Sequence, residues 1–70
     1  MTQTTITNRI RDLRYQTGEM SQQALADAVG VTRQTINAIE RAKYSPSLEV
    51  AFRIADTLGV GIDEVFQHGK

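Results

Sequence analysis

Residues 24–39, ALADAVGVTRQTINAI, constrain the fold more than any other part of the chain. Leu25 and Val29 stand one helical turn apart, as do Ile36 and Ile39, and Gly30 separates the two pairs. Each spacing puts its apolar residues on one face of a helix. Neither segment is long enough to hold a helix alone in water. Both must therefore lean on a shared core, toward which Val31 also points. Ala26 is small at the place where two helices have to cross closely. Gly30 permits the positive φ of a tight turn between them. These are the geometric requirements of two short helices joined at a sharp angle, a helix-turn-helix spanning about residues 22–42.

The rest of the chain is punctuated in the same way. Ser21 and Thr32 are N-cap candidates, although neither has Glu or Gln three residues on to complete a capping box. Thr7 is expected to cap a first helix carrying Ile10 and Leu13 on the face begun by Ile6, with Gly18 just past its end. KYSPS reads as a loop, because Pro46 drives Ser45 out of helical geometry. Ser47 then caps a fourth helix rich in apolar residues: Leu48, Val50, Ala51, Phe52, Ile54, Ala55 and Leu58. Apolar positions on more than one face predict a central, largely buried helix, stopped by Gly59. A fifth helix, IDEVFQ, is expected to bury Ile62, Val65 and Phe66. Asp63 and Glu64 in its first turn suit the helix dipole. QTTIT, near the start, is β-branched and favours extended structure. It can pair with VFQHGK at the end as a two-stranded patch, frayed termini being the alternative. The expected fold is all-α, a compact five-helix bundle forming one domain over residues 1–70, with a small β pairing of the termini.

A chain of 70 residues has no cysteine. It buries only about 60% of its unfolded surface, so a partner subunit is expected to supplement a small core. Without cysteine there is no disulfide or thiolate site, which fits a reducing, cytoplasmic setting. His68 cannot build a metal site alone, and no cofactor is implied. No run approaches the roughly 20 apolar residues of a membrane span, nor does the start read as a signal peptide. Asp56, Asp63 and Glu64 have no accompanying nucleophile, ligand cluster or phosphate-binding glycine loop. They read as solvated helix surface, and no catalytic residue or small-molecule ligand is expected.

The formal net charge is zero. Its distribution is uneven. Residues 1–46 hold Arg9, Arg11, Arg14, Arg33, Arg41 and Lys43 against Asp12, Glu19, Asp27 and Glu40, while acidic side chains outnumber basic ones in the remainder. Any basic face belongs to the first two thirds. On a wheel of about 100° per residue, Ile36 and Ile39 define the buried side of the third helix. Gln34, Asn37, Ala38 and Arg41 then point roughly away from it, with Arg33 and Thr35 on the two flanks. Arginine can pair bidentately with guanine, glutamine and asparagine with adenine, and a small alanine can meet a thymine methyl. The polar tract thus suits a helix that reads base edges, although an Arg/Gln/Asn face by itself also fits ordinary solvation.

SQQALADAVGVTRQTINAIERAKYSPSLEVAFRIADTLGVGIDEVF resembles the Cro/Xre-type helix-turn-helix family, the lambda-repressor-like DNA-binding domains, over residues 8–66. The Ser-Gln opening, Ala26, Gly30, TRQTI, Glu40, YSPSLEVAFRIADTLGV and the DEVF ending carry the resemblance. It implies a prokaryotic or phage transcription regulator, often a repressor, bound to double-stranded DNA as a homodimer. By the same resemblance, Gln22 touches a phosphate and braces the recognition helix. Thr32, Arg33 and Gln34 begin the base-contacting segment, and Asn37 and Ala38 lie further along the groove. Lys43, Tyr44 and Ser45 hold the sugar-phosphate backbone, and Glu40 is structural. Ala24 and Gly61 depart from the family's common Glu and capping Ser.

Arg9, Arg11 and Arg14 are read as a solvated face paired around Asp12, with Arg9 the best exception for a phosphate contact. Tyr15 is undecided between core and rim, and Met20 is assigned to packing. The dimer surface is expected near the fifth helix and Phe66. Two rival functions remain: an antitoxin-type regulator that chiefly binds a partner protein, and an interaction module that has lost DNA binding.

Overall fold

The computed structural model describes residues 5–69. Its elements run β1 (Thr5–Asn8), α1 (Ile10–Gln16), α2 (Gln22–Val29), α3 (Arg33–Glu40), α4 (Leu48–Leu58), α5 (Ile62–Val65) and β2 (Phe66–Gly69). The mostly helical fold is as expected, and so is the joining of the two ends of the chain. β1 and β2 pair antiparallel, with Ile6 opposite His68 and Asn8 opposite Phe66. Gln3, Thr4 and Lys70 of the expected pairing lie outside the described residues.

Three hydroxyl caps begin the middle helices. Ser21, Thr32 and Ser47 each accept a hydrogen bond from the backbone N–H three residues on, at 2.9, 3.1 and 3.2 Å. Each satisfies a donor that the first helical turn leaves unpaired. α2 and α4 end at Gly30 (φ 89°) and Gly59 (φ 73°), both left-handed. Gly61 starts α5 without a side-chain cap, as its missing hydroxyl implied.

Four expectations are corrected. Thr7 does not cap α1, because pairing with β2 keeps the chain extended through Asn8. The Asn8 side chain accepts from the Ile10 N–H at 3.2 Å instead, and Ile6 sits on the strand, 45% exposed. α5 stops at Val65, since Phe66 (φ −118°, ψ 135°) already belongs to β2. Of its expected core residues only Val65 is fully buried; Ile62 and Phe66 are half-buried. α4 is not buried all round. Ala51, Ile54, Ala55 and Leu58 face inward, whereas Leu48 is 74% and Phe52 53% exposed. The helix meets α2 and α5 on one side only, so its second apolar edge is left open.

The core is one cluster of Ile10, Leu13, Leu25, Ala26, Val29, Ile36, Ile39, Ile54, Ala55, Leu58 and Val65. Met20 and Val31 pack against it from the rim. Every helix contributes, so no pair of helices could be stable without the rest. α3 packs into the core along its Ile36–Ile39 edge, and Arg33, Gln34 and Asn37 are exposed.

Candidate nucleic-acid interface

The turn that sets α3 against α2 works as the sequence required. Ala26 is fully buried at the crossing. Its carbonyl accepts from the N–H groups of both Gly30 (2.8 Å) and Val31 (3.0 Å), which folds the chain back sharply. Thr32 then caps α3 while its hydroxyl lies 2.9 Å from that of Thr35.

Arg33, Gln34, Asn37 and Arg41 are all exposed. None of the four side chains makes a hydrogen bond or ion pair among the described residues. Their donors and acceptors are left for an outside partner. Thr35 and Ala38 are only half-exposed, so Ala38 flanks the stripe rather than standing in it. Gln22, at the start of α2, is half-buried and donates to Glu40 at 3.2 Å. It therefore does brace α3 from behind.

The far end of α3 is closed by a feature with no sign in the sequence. Ala42 takes a left-handed conformation (φ 58°) without being glycine. The N–H groups of Ala42 and Lys43 return to the carbonyls of Ile39 and Ala38, both at 2.9 Å. This is the Schellman pattern with alanine where glycine is usual. It turns the chain so that Lys43, Tyr44 and Ser45, all three exposed, follow directly after the helix. Spacing could not have found this turn, because alanine does not favour that conformation.

Glu40 is structural, as expected, but its partner was not foreseen. Arg14 is 6% exposed rather than solvated. Its guanidinium donates to both Glu40 oxygens, Nε at 2.7 Å and Nη2 at 3.1 Å, and Nη1 donates to the Met20 carbonyl at 2.7 Å. The hydrogen bond to Glu40 raises the Arg14 pKa from its ordinary value against the opposing effect of burial. The pair ties α1 to the end of α3, across 26 residues of sequence. A second tie comes from Asn8, whose amide donates to the Ile39 carbonyl at 2.9 Å. Both ties hold the C-terminal end of α3, the helix that carries the exposed Arg33, Gln34 and Asn37. Tyr15 lies at the rim, 52% exposed. Arg9 and Arg11 are exposed as expected.

Among the described residues no helix is long and apolar enough to cross a membrane, and no side-chain group gathers as a metal site.

The sequence model of the helix-turn-helix family matches residues 10–65. An HTH-type transcriptional regulator of Methanocaldococcus jannaschii is 53% identical over 47 residues, 67% of this chain and 71% of that protein. One from Methanothermobacter thermautotrophicus is 52% identical over 58 residues, 81% and 83% of the two chains. The cryptic phage CTXphi transcriptional repressor RstR of Vibrio cholerae is 36% identical over 58 residues, 83% of this chain and 51% of that protein. Among solved structures, the restriction-modification controller protein C.AhdI of Aeromonas hydrophila superposes with a TM-score of 0.72 at 31% identity, covering 79% of this chain and 82% of that one. The match runs from the first residue of α1 to the last of α5, through the very turn that exposes Arg33 and Gln34, and so the chain belongs to the Cro/Xre-type helix-turn-helix family of transcriptional regulators.

Proposed function

We propose that this regulator, a single domain over residues 1–70, binds a specific double-stranded DNA operator in the cytoplasm and acts as a repressor by occluding a promoter. The observation that carries the reading is the stripe of Arg33, Gln34, Asn37 and Arg41, exposed and without intramolecular partners among the described residues, on a helix pinned from behind. In this reading α2 crosses the sugar-phosphate backbone and α3 enters the major groove. Arg33, Gln34 and Asn37 hydrogen-bond base edges, with Arg41 further along the groove and Thr32, Thr35 and Ala38 beside them. Gln22, Lys43, Tyr44 and Ser45 meet phosphates and set the register. The similarity to RstR, a repressor by name, favours repression.

One such module covers a short half-site, so the operator is an inverted repeat bound by a homodimer. The open apolar edge supports this. Ile6, Pro46, Leu48, Ile62 and Phe66 line one shallow groove, and Leu48 stands 74% exposed in it. A second copy covering that groove adds the apolar burial that a small core lacks. Leu48→Glu is expected to shift sedimentation toward the monomer without changing the far-ultraviolet circular dichroism, since the side chain supports no core contact.

Mobility-shift titrations on operator fragments selected from genomic DNA test the DNA reading. Arg33→Ala or Gln34→Ala is expected to lose about 1–3 kcal/mol on the selected site and to blur preference at particular bases. Lys43→Ala is expected to weaken binding to all sequences alike and to lower the salt slope by about one. Identical behaviour of the two classes of variant would overturn the division between base and phosphate contacts.

A further inference from the structure

We propose that His68 makes the homodimer sensitive to acid: protonation of its imidazole, at the edge of the apolar groove, weakens the contact between two copies of the chain. The proposal rests on the homodimer reading above and adds a signal to which that dimer responds.

His68 is the one histidine of the chain. Histidine is the side chain whose charge ordinarily changes between about pH 5 and 8. Strand geometry puts it on the groove side of the β1–β2 ribbon. Alternate residues of a strand share a face, and directly paired residues of two strands share it as well. Ile6 pairs with His68, and Asn8 with Phe66. Asn8 sends its amide inward to the Ile39 carbonyl. Ile6, Phe66 and His68 therefore lie on the inward-looking face, with Thr5, Thr7 and Gln67 on the other.

That face joins two hollows. One is the groove of about 170 Å³ beside Leu48. The other, of about 210 Å³, is lined by Ile6, Phe66, Gln67 and His68. Ile6 and Phe66 belong to both, so the apolar surface runs without a break from Leu48 to the imidazole.

Charge and shape together select a second copy as the cover. Of the residues lining the two hollows, His68 alone can ionise. Such a surface is buried at least cost against one that is equally uncharged. In a symmetric dimer the same patch meets itself, so neutrality on one copy is matched by neutrality on the other. A patch that meets itself also needs a projection and a recess. Leu48, 74% exposed, supplies the first and the groove beside it the second.

Nothing around His68 offsets a positive charge. β1, packed beside it, has no ionisable side chain from Thr5 to Asn8. α5 carries Asp63 and Glu64, both exposed, and among the described residues neither pairs with His68. A neutral imidazole is accepted at the edge of an apolar contact. An imidazolium must give up water there, which disfavours the charged form. Two such groups enter each dimer. Dimerisation thus favours the neutral form. Its strength is full above the ordinary titration range of histidine and falls as pH drops through that range.

Sedimentation equilibrium of the full chain without DNA, at about pH 7.5 and about pH 5.5 and at equal ionic strength, tests the switch. The dimer Kd is expected to rise about tenfold at the lower pH, with two imidazoles titrating per dimer. His68→Gln, neutral at both values, should keep the tighter Kd at both. His68→Lys, charged at both, should show the weaker Kd at both. The side chain is exposed in the single chain, so each variant keeps the fold, which far-ultraviolet circular dichroism checks. An equal wild-type Kd at the two pH values, or a pH dependence that survives in His68→Gln, overturns the acid switch while leaving the homodimer intact. If the wild-type chain stays monomeric at the higher pH, the homodimer reading and the switch fall together.

Discussion

Replacing Glu40 with alanine tests how α3 is held. The Arg14 and Glu40 side chains are only 8% and 7% exposed. Glu40→Ala deletes the acceptor of three hydrogen bonds, two from Arg14 and one from Gln22. Arg14 then keeps the Met20 carbonyl alone, with a buried and uncompensated charge. Breaking a buried ion pair from one side costs about 3–5 kcal/mol. A domain of this length has a total stability of roughly 3–10 kcal/mol. The variant is therefore expected to stand at the edge of unfolding at 25 °C. With a urea m-value of about 1 kcal/mol/M, its midpoint should fall by about 3–5 M. Circular dichroism during urea titration at one fixed protein concentration measures this, since dimerisation makes stability depend on concentration. Replacing both partners, Arg14→Met with Glu40→Leu, should recover most of the stability, because two apolar groups leave no stranded charge. A midpoint for Glu40→Ala within about 0.5 M of the wild type would refute the argument, by showing that water or another partner compensates Arg14. The arginine's raised pKa adds a sign. Its contribution is full below the unfolded pKa and disappears only as pH rises through the higher folded one. The arginine half of the pair therefore brings no pH dependence in the neutral range.

Three further substitutions probe the frame around the stripe, each read by urea midpoint. Gly30→Ala places a side chain at φ 89°; its Cβ would meet Arg53 at 3.8 Å, an ordinary contact. The destabilisation of about 1–2 kcal/mol is thus conformational alone, and Gly30→Asn should suffer less. Ala42→Gly removes the left-handed strain at the end of α3 and is expected to stabilise by up to about 1 kcal/mol after the entropy of glycine is set against it. Asn8→Ala leaves the first N–H of α1 without its acceptor and removes one of the two donors to the Ile39 carbonyl, which keeps the Ala42 N–H, with an expected cost of about 1–3 kcal/mol.

The match between Arg33–Arg41 and DNA chemistry was legible because both halves of it are periodic. Buried Ile36 and Ile39 locate the opposite face by arithmetic, and the identities on that face are given. The separate roles of the α1 arginines were not legible. Arg9, Arg11 and Arg14 look alike along α1, yet Arg14 is buried in an ion pair while Arg11 lies against a tyrosine ring at the surface. Spacing around Asp12 held no sign of that division.

What the sequence determined by itself is therefore local: where helices start and stop, and which stripe of each is apolar. Ser21, Thr32 and Ser47 cap as expected, and Gly18, Gly30 and Gly59 take positive φ just beyond three helices, because caps and turns are settled by backbone groups within a few residues. The tertiary structure alone decided whether an apolar edge had anything to cover it, which left Leu48 and Phe52 exposed, and whether a charge had a distant partner, which drew Arg14 to Glu40. It also ended α5 at Val65 by pairing Phe66 with Asn8 at the other end of the chain. Burial and ion pairing are properties of neighbours in space, and neighbours in space are set only when the whole chain has closed around its core.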